Sequence, residues 1–309
     1  MVRVAAIDCG TNSVRLLVAD VPESGDRALT DLTRRMEIVR LGEGVDRTGR
    51  LAAAAIDRTR VALADYAGEI RRLGAERVRM VATSASRDAA NADEFTSMVH
   101  DTLGVAPEVV SGDEEARLSY AGAVRGLPAG ARLPYLVVDI GGGSTEFVRG
   151  GPAMGLRAVS VDIGCVRMTE RHLAGDPPTP AQVVAAEADI GAAVEYALAA
   201  VDGRAAGTLV GLAGSVTTVA GIALGLPAYR PDQIHHARIS YDEVAKVTAD
   251  LLGMPRERRL ALPVMHPGRA DVIGAGALVL RIVMTVAGAD EVIASEHDIL
   301  DGIAWSLVS

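Results

Sequence analysis

The chain has 309 residues, 49% of them hydrophobic and only 3% aromatic, so two domains are expected, with cores packed from Ala, Val, Leu and Ile. Its 31 basic and 40 acidic side chains leave a formal charge of −9, which excludes a general basic surface for wrapping nucleic acid or an anionic membrane. Lys246 is the one lysine, so a polyanionic ligand would be held locally, by arginines, backbone amides and a cation.

The first apolar run is broken by Asp8, which argues against a signal peptide. Residues 2–8, 13–21 and 29–41 read as strands. A helix over 52–73 follows, with Ile56, Leu63, Ile70 and Leu73 near helical period. A strand is expected at 77–82, a helix at 87–103, a strand at 108–110 and a helix at 113–124. The Gly, Pro and Ala of 125–134 mark a domain boundary.

The pattern then restarts with strands at 135–139, 144–149 and 156–162. A Pro-rich loop leads into a helix for which Thr179 is the expected N-cap, Pro180 the first residue and Gln182 the closing member of a capping box. A strand at 209–213 and a helix at 215–224 come next. Residues 205–229 carry no charge and are long enough to span a bilayer, but five glycines and the hydroxyls of Ser215, Thr217 and Thr218 favour a strand, turn and buried helix. Helices at 242–252 and 270–287, a strand at 291–294 and a final helix complete the chain. Cys9 and Cys165 have neither metal-ligand nor disulfide spacing and read as reduced thiols of a cytoplasmic protein.

Each half opens on the same skeleton, Asp-x-Gly-x-x-Ser. In the first it is Asp8, Gly10, Thr11, Asn12 and Ser13; in the second, "VVDIGGGSTE" supplies Asp139, Gly141, Gly142, Gly143, Ser144, Thr145 and Glu146. The paired Asp and Ser positions both lie 131 residues apart, which points to a duplicated α/β fold with a cleft between its halves. Glycine loops let backbone N–H groups converge on phosphate oxygens, although strand-to-strand turns also favour these residues. Acid beside a phosphate loop implies a metal. Mg²⁺ takes one or two carboxylates with waters and phosphate oxygens, so Asp8, Asp139 and Glu146 are candidate ligands, with a solvated strand position the plain alternative for Glu146.

Three strand-to-helix turns add phosphate-facing candidates. Arg87 follows "TSAS", Gly214 and Ser215 lie in "GLAGSVTTVAG", and Arg269 precedes the helix of "HPGRADVIGAGA". An ordinary surface arginine and simple N-capping are the rival explanations. In "VSGDEEARLSYAG", Asp113, Glu114 and Glu115 occupy a helix first turn, where the helix dipole favours acids. Glu115 would serve as a general base if that turn faces the ligand. His235, His236, His266 and the pair His297-Asp298 show no metal spacing and read as structural.

"AIDCGTNSVRLLVAD", "VATSASRDA", "VVSGDEEARL", "VVDIGGGSTE", "LAGSVTTVAG" and "RADVIGAGALVL" resemble, in order over nearly the whole chain, the motifs of the exopolyphosphatase and guanosine pentaphosphate phosphohydrolase family. The resemblance implies two ribonuclease-H-like domains of the actin-like ATPase superfamily around a central cleft. These would be residues 1–128 and 129–297, with 298–309 packing back on the first. It implies release of terminal phosphate from inorganic polyphosphate, or of the 5′ γ-phosphate from pppGpp, with Mg²⁺ or Mn²⁺. Glu115 maps to the general base, Asp139 and Glu146 to metal contacts, and Asn12, Ser13, Arg87 and Ser144 to phosphate contacts. A cytoplasmic homodimer is expected. The chain stops before the helical C-terminal domains of long members, which shifts the expectation toward short polyphosphates or pppGpp.

Overall fold

The computed structural model describes residues 1–23, 29–151 and 154–308; Ser309, the last residue of the expected C-terminal segment, lies outside them. The chain forms two compact units, Met1–Gly126 with Asp298–Ser309, and Leu127–His297.

In the first unit β1 (Val2–Cys9), β2 (Ser13–Val21) and β3 (Thr30–Ile38) form an antiparallel meander. A short α1 (Val45–Thr48) and α2 (Ala53–Leu73) lead to β4 (Arg77–Ala82), which pairs parallel with β1. Then come α3 (Ser84–Arg87), α4 (Ala92–Leu103), β5 (Glu108–Val109) and α5 (Gly112–Ala123). The sheet order is β3-β2-β1-β4-β5. β1 is buried on both faces and so reads as an almost unbroken apolar run. Ala5 and Ile7 enter one core with Leu63, Tyr66 and Phe95, while Val4 and Ala6 enter the other with Ile303 and Trp305.

The second unit repeats the plan. β6 (Tyr135–Ile140), β7 (Thr145–Gly151) and β8 (Met154–Val161) form the meander, followed by α6 (Cys165–His172) and α7 (Pro180–Val201). β9 (Thr208–Leu212) pairs parallel with β6 and runs into α8 (Ala213–Ala223). The short α9 (Pro231–Ile234), β10 (Arg238–Ser240), α10 (Tyr241–Gly253), α11 (Arg256–Leu260), α12 (Ile273–Ala287) and β11 (Glu291–Ala294) complete it. Its order, β8-β7-β6-β9-β11-β10, matches the first sheet with one extra antiparallel edge strand. This shared order is the ribonuclease-H-like arrangement. The expected capping box holds: Thr179 Oγ1 accepts from the Gln182 amide at 3.3 Å, and Gln182 Oε1 accepts from the Thr179 amide at 2.9 Å.

Several boundaries differ from expectation. The expected 87–103 helix breaks, because the Asn91 side chain accepts from Leu51 N at 2.8 Å and donates to Leu51 O at 3.1 Å, pinning the preceding turn out of helical geometry. The third strand ends at Ile38, since Arg40 has φ 49° and its amide bonds elsewhere. α6, β10 and the short helices were not expected; α6 starts at Gly164 with no capping side chain to announce it. The uncharged 205–229 stretch forms β9, α8 and turns, and among the described residues no helix is long and apolar enough to cross a membrane.

The chain returns to the first unit as α13 (Ile299–Ser306), which lies against α5 and β1. α5 and α13 cross with their backbones touching. A Cβ at Gly122 would stand 1.9 Å from the Asp298 carbonyl oxygen, and one at Gly302 2.0 Å from that of Leu118. Gly302→Ala is therefore expected to cost about 3 kcal/mol in urea unfolding, by forcing the helices apart. A loss below about 0.5 kcal/mol would show that the crossing relaxes freely.

Candidate active site

The two glycine loops share one hydrogen-bond plan. Gly10 N donates to Ser13 O at 3.0 Å, and Gly141 N to Ser144 O at 3.1 Å. In the first loop, Gly42 N takes the Thr11 carbonyl (2.8 Å), while Val39 N and Arg40 N take that of Asn12 (3.1 and 2.9 Å). In the second, Cys165 N binds Gly141 O (2.9 Å), Val166 N binds Gly142 O (2.8 Å), and Gly164 N and Arg167 Nε bind Gly143 O (3.1 and 2.8 Å). With the carbonyls held from behind, the amides of Thr11, Asn12, Gly142, Gly143 and Ser144 donate to no protein acceptor among the described residues. Such amides suit an anion. Close backing requires glycine: a Cβ at Gly164 would lie 2.2 Å from Gly142 O, and one at Gly42 2.3 Å from Thr11 Cγ2.

Two hydroxyls expected at phosphate turn inward. Thr11 Oγ1 bonds Ser84 Oγ at 2.8 Å, and Thr145 Oγ1 donates to Ile163 O at 3.1 Å. These side chains brace the loops, so any phosphate contact at these residues would come from their backbones.

The hairpins differ in charge at the same register. Asp139 stands opposite Glu146, both buried, and Ser160 Oγ donates to Glu146 Oε1 at 2.7 Å. Opposed carboxylates on one sheet face repel. As oxygen donors they are the partners Mg²⁺ takes beside phosphate oxygens and water, so the pair fits a hard divalent cation. Among the described residues no three His, Cys, Asp or Glu gather into a ready-made cage. At the equivalent place in the first unit Asp8 stands opposite Arg15, whose Nε and Nη2 both donate to Asp8 Oδ2 (2.9 and 2.7 Å). Asp8, expected at the metal, has that oxygen neutralised by a guanidinium. The metal expectation thus narrows to the second hairpin.

Glu115 lies in the first turn of α5, capped by Ser111 Oγ accepting from Glu114 N at 3.2 Å. Its neighbours face solvent, Asp113 with Arg117 and Glu114 toward Arg79, whereas Glu115 is only 8% exposed. Arg87 closes α3 rather than opening a long helix; its Nη1 donates to Val110 O (2.9 Å) and Glu115 Oε2 (3.1 Å). Through Thr83 N to Cys9 O (3.1 Å) and the Thr11–Ser84 bond, this turn joins the first loop to Glu115.

In the second unit the β9–α8 turn holds Ala213 at φ 65°. Arg269 lies across Gly214, where a Cβ would meet Cζ at 2.3 Å, and its Nη1 donates to Thr218 Oγ1 at 3.2 Å. Ser215 is turned into the interior. A Cβ on Gly276 would stand 2.2 Å from its Oγ and 3.4 Å from Cys165 Cβ at the start of α6. Ser215 therefore ties α8, α12 and α6 together, and any phosphate contact from this turn would come from its backbone or from Arg269.

A model of the Ppx/GppA phosphatase family matches residues 17–309. The chain belongs to that family. It is 51% identical to exopolyphosphatase 2 of Mycobacterium tuberculosis over 99% of both chains. A solved exopolyphosphatase-like protein is 42% identical and superposes with a TM-score of 0.94 over 99% of both chains. The Aquifex aeolicus family member is 32% identical, with a TM-score of 0.81 over 99% of this chain and 97% of that one.

Arg15 was not singled out from the sequence, and Asp298, expected to be structural, is its partner. Arg15 Nη1 also pairs with Asp298, the N-cap of α13, and Arg34 bonds Asp301 of the same capping box at 2.8 Å. Extending the 131-residue comparison to position 15, opposite Glu146 in the second copy, would have exposed Arg15. The partner of Asp298 is visible only in three dimensions. The three imidazoles read as structural also assemble: His235 stacks on His236 at 3.6 Å and lies 4.3 Å from His297.

Burial pushes Asp298 up, but Arg15, Arg34 and the Leu300 amide outweigh it and hold the carboxyl below its ordinary range. Asp8 goes the other way, burial outweighing Arg15, with the Asp298 charge adding. A depressed carboxyl stabilises the fold above its unfolded pKa of about 3.9, and that contribution is lost as pH falls through the folded value. Asp298→Asn should cost about 3 kcal/mol at neutral pH, with the gap to wild type closing as pH drops below about 4. A gap independent of pH in denaturant titrations would contradict this assignment.

Proposed function

We propose that this protein is an exopolyphosphatase that releases terminal orthophosphate from inorganic polyphosphate with Mg²⁺ or Mn²⁺. The observation that carries the reading is the matched pair of loops whose carbonyls are consumed and whose amides remain for an anion, the second beside Asp139 and Glu146. Kinship with exopolyphosphatase 2 of Mycobacterium tuberculosis supports polyphosphate as the substrate.

On this reading the amides of Gly142, Gly143 and Ser144 bind the terminal phosphate and Arg269 adds positive charge beside the β9–α8 turn. When bound at Asp139 and Glu146, the cation draws negative charge off the phosphate oxygens. Glu115 accepts a hydrogen bond from the attacking water and takes its proton as the new P–O bond forms. The bond to the bridging oxygen breaks, and the shortened chain leaves with that oxygen. Arg87 fixes the Glu115 carboxylate in one orientation from a second element. The same steps apply to the 5′ γ-phosphate of pppGpp, and the family match supports that second reading. Competing the two substrates for the enzyme separates them.

The test is orthophosphate release by purified protein from polyphosphates of defined length and from pppGpp, with and without Mg²⁺. Release from polyphosphate that requires the cation is expected; no release from either substrate would contradict the reading. Glu115→Gln should preserve the melting transition while lowering kcat by roughly 10²–10⁴-fold. Near wild-type turnover in that variant would remove Glu115 from the mechanism.

A further inference from the structure

The second hairpin carries a third residue in register with its two acids. Asp139 on β6 stands opposite Glu146 on β7, and Glu146 stands opposite Ser160 on β8. Residues opposed in neighbouring antiparallel strands point to the same sheet face, so the three form one row across it. The first unit has the same row with different chemistry: Asp8, Arg15 and Met36. There the central guanidinium bonds Asp8, and the third residue is a thioether with no O–H to donate. In the second unit the centre is an acid and the third residue a hydroxyl. Ser160 Oγ donates to Glu146 Oε1 at 2.7 Å, a short bond of the kind a hydroxyl makes to a carboxylate.

Glu146 is 1% exposed and faces a second buried carboxylate, so its side chain is repelled by Asp139 and its burial calls for hydrogen bonds. The Ser160 bond answers both. It satisfies one carboxylate oxygen, and it ties the group to the neighbouring strand so that it stays in one orientation. Mg²⁺ demands near-ideal octahedral geometry from its ligands, and an acid that swings meets that demand poorly. We propose that Ser160 is a positioning residue for the cation, holding Glu146 in one orientation beside Asp139. This role rests on Asp139 and Glu146 holding the cation, as in the proposed function. Hydrogen-bond partners of metal ligands typically carry about 10–100-fold in metal affinity. Ser160 acts through Glu146, not on the substrate itself.

Electron paramagnetic resonance of free Mn²⁺, titrated into the purified protein without phosphate substrate, reads the site apart from turnover. The titrations are run well below the melting transition of every variant. Saturable Mn²⁺ binding by wild type, removed by Asp139→Asn, is expected. Ser160→Ala should raise the Kd for Mn²⁺ by about tenfold or more. Ser160→Thr, which keeps the hydroxyl, should restore most of the affinity. Binding that Asp139→Asn removes but Ser160→Ala leaves unchanged would overturn the role of Ser160 alone, as would a Ser160→Thr protein that binds as weakly as Ser160→Ala. Absence of binding by wild type, or binding that survives Asp139→Asn, would overturn the cation reading itself.

Discussion

The candidate site rests on which side of a short loop has its hydrogen bonds satisfied. A peptide loop offers both carbonyls and amides, and a phosphate is repelled by the one and held by the other. Here the carbonyls of Thr11, Asn12 and Gly141 to Gly143 are taken by amides packed behind them, from the segment after β3 in one unit and the start of α6 in the other. What remains for a ligand is a set of donors fixed in place. The glycines serve this end twice, at the loop itself and at Gly42 and Gly164, where the backing segments approach within the reach of a Cβ.

The two units carry two such loops on the same hydrogen-bond plan, and a single side-chain difference gives them different electrostatics. The residue opposite the strand-end aspartate is Arg15 in the first copy and Glu146 in the second. Arg15 turns Asp8 inward, into an ion-pair chain that fastens the first turn of α13. Breaking one partner of such a buried pair is costly because the other charge is left without compensation. Glu146 instead sets a second carboxylate opposite Asp139, the donor type that a hard divalent cation takes. The same hairpin plan thus holds an ion pair in one unit and two facing carboxylates in the other.

Much of this was legible in the sequence. The strands, the long helices and the Thr179 capping box follow from periodicity and local cap chemistry, which act over a few residues. The loop repeat was visible as spacing, and the burial of Glu115 beside its solvent-facing neighbours agrees with its expected placement in a first turn. What escaped depends on partners remote in sequence. The hydroxyls of Thr11, Thr145 and Ser215 looked like phosphate donors by type, yet Ser84, Ile163 and the packing against Gly276 claim them. Arg87, expected to open a long helix, ends the short α3 instead and bonds Glu115, while Asn91 ties the chain behind it to Leu51. No local pattern announces such ties.

The candidate site depends on the unpaired loop amides beside Asp139 and Glu146 holding phosphate. Backbone NMR of the Glu115→Gln protein, titrated with tripolyphosphate in the presence of Mg²⁺, reads this directly. The amide resonances of Gly142, Gly143 and Ser144 should shift with a common midpoint, and binding at that midpoint should weaken when Mg²⁺ is removed. No response at these amides while the ligand binds elsewhere, or a midpoint indifferent to Mg²⁺, would contradict this assignment.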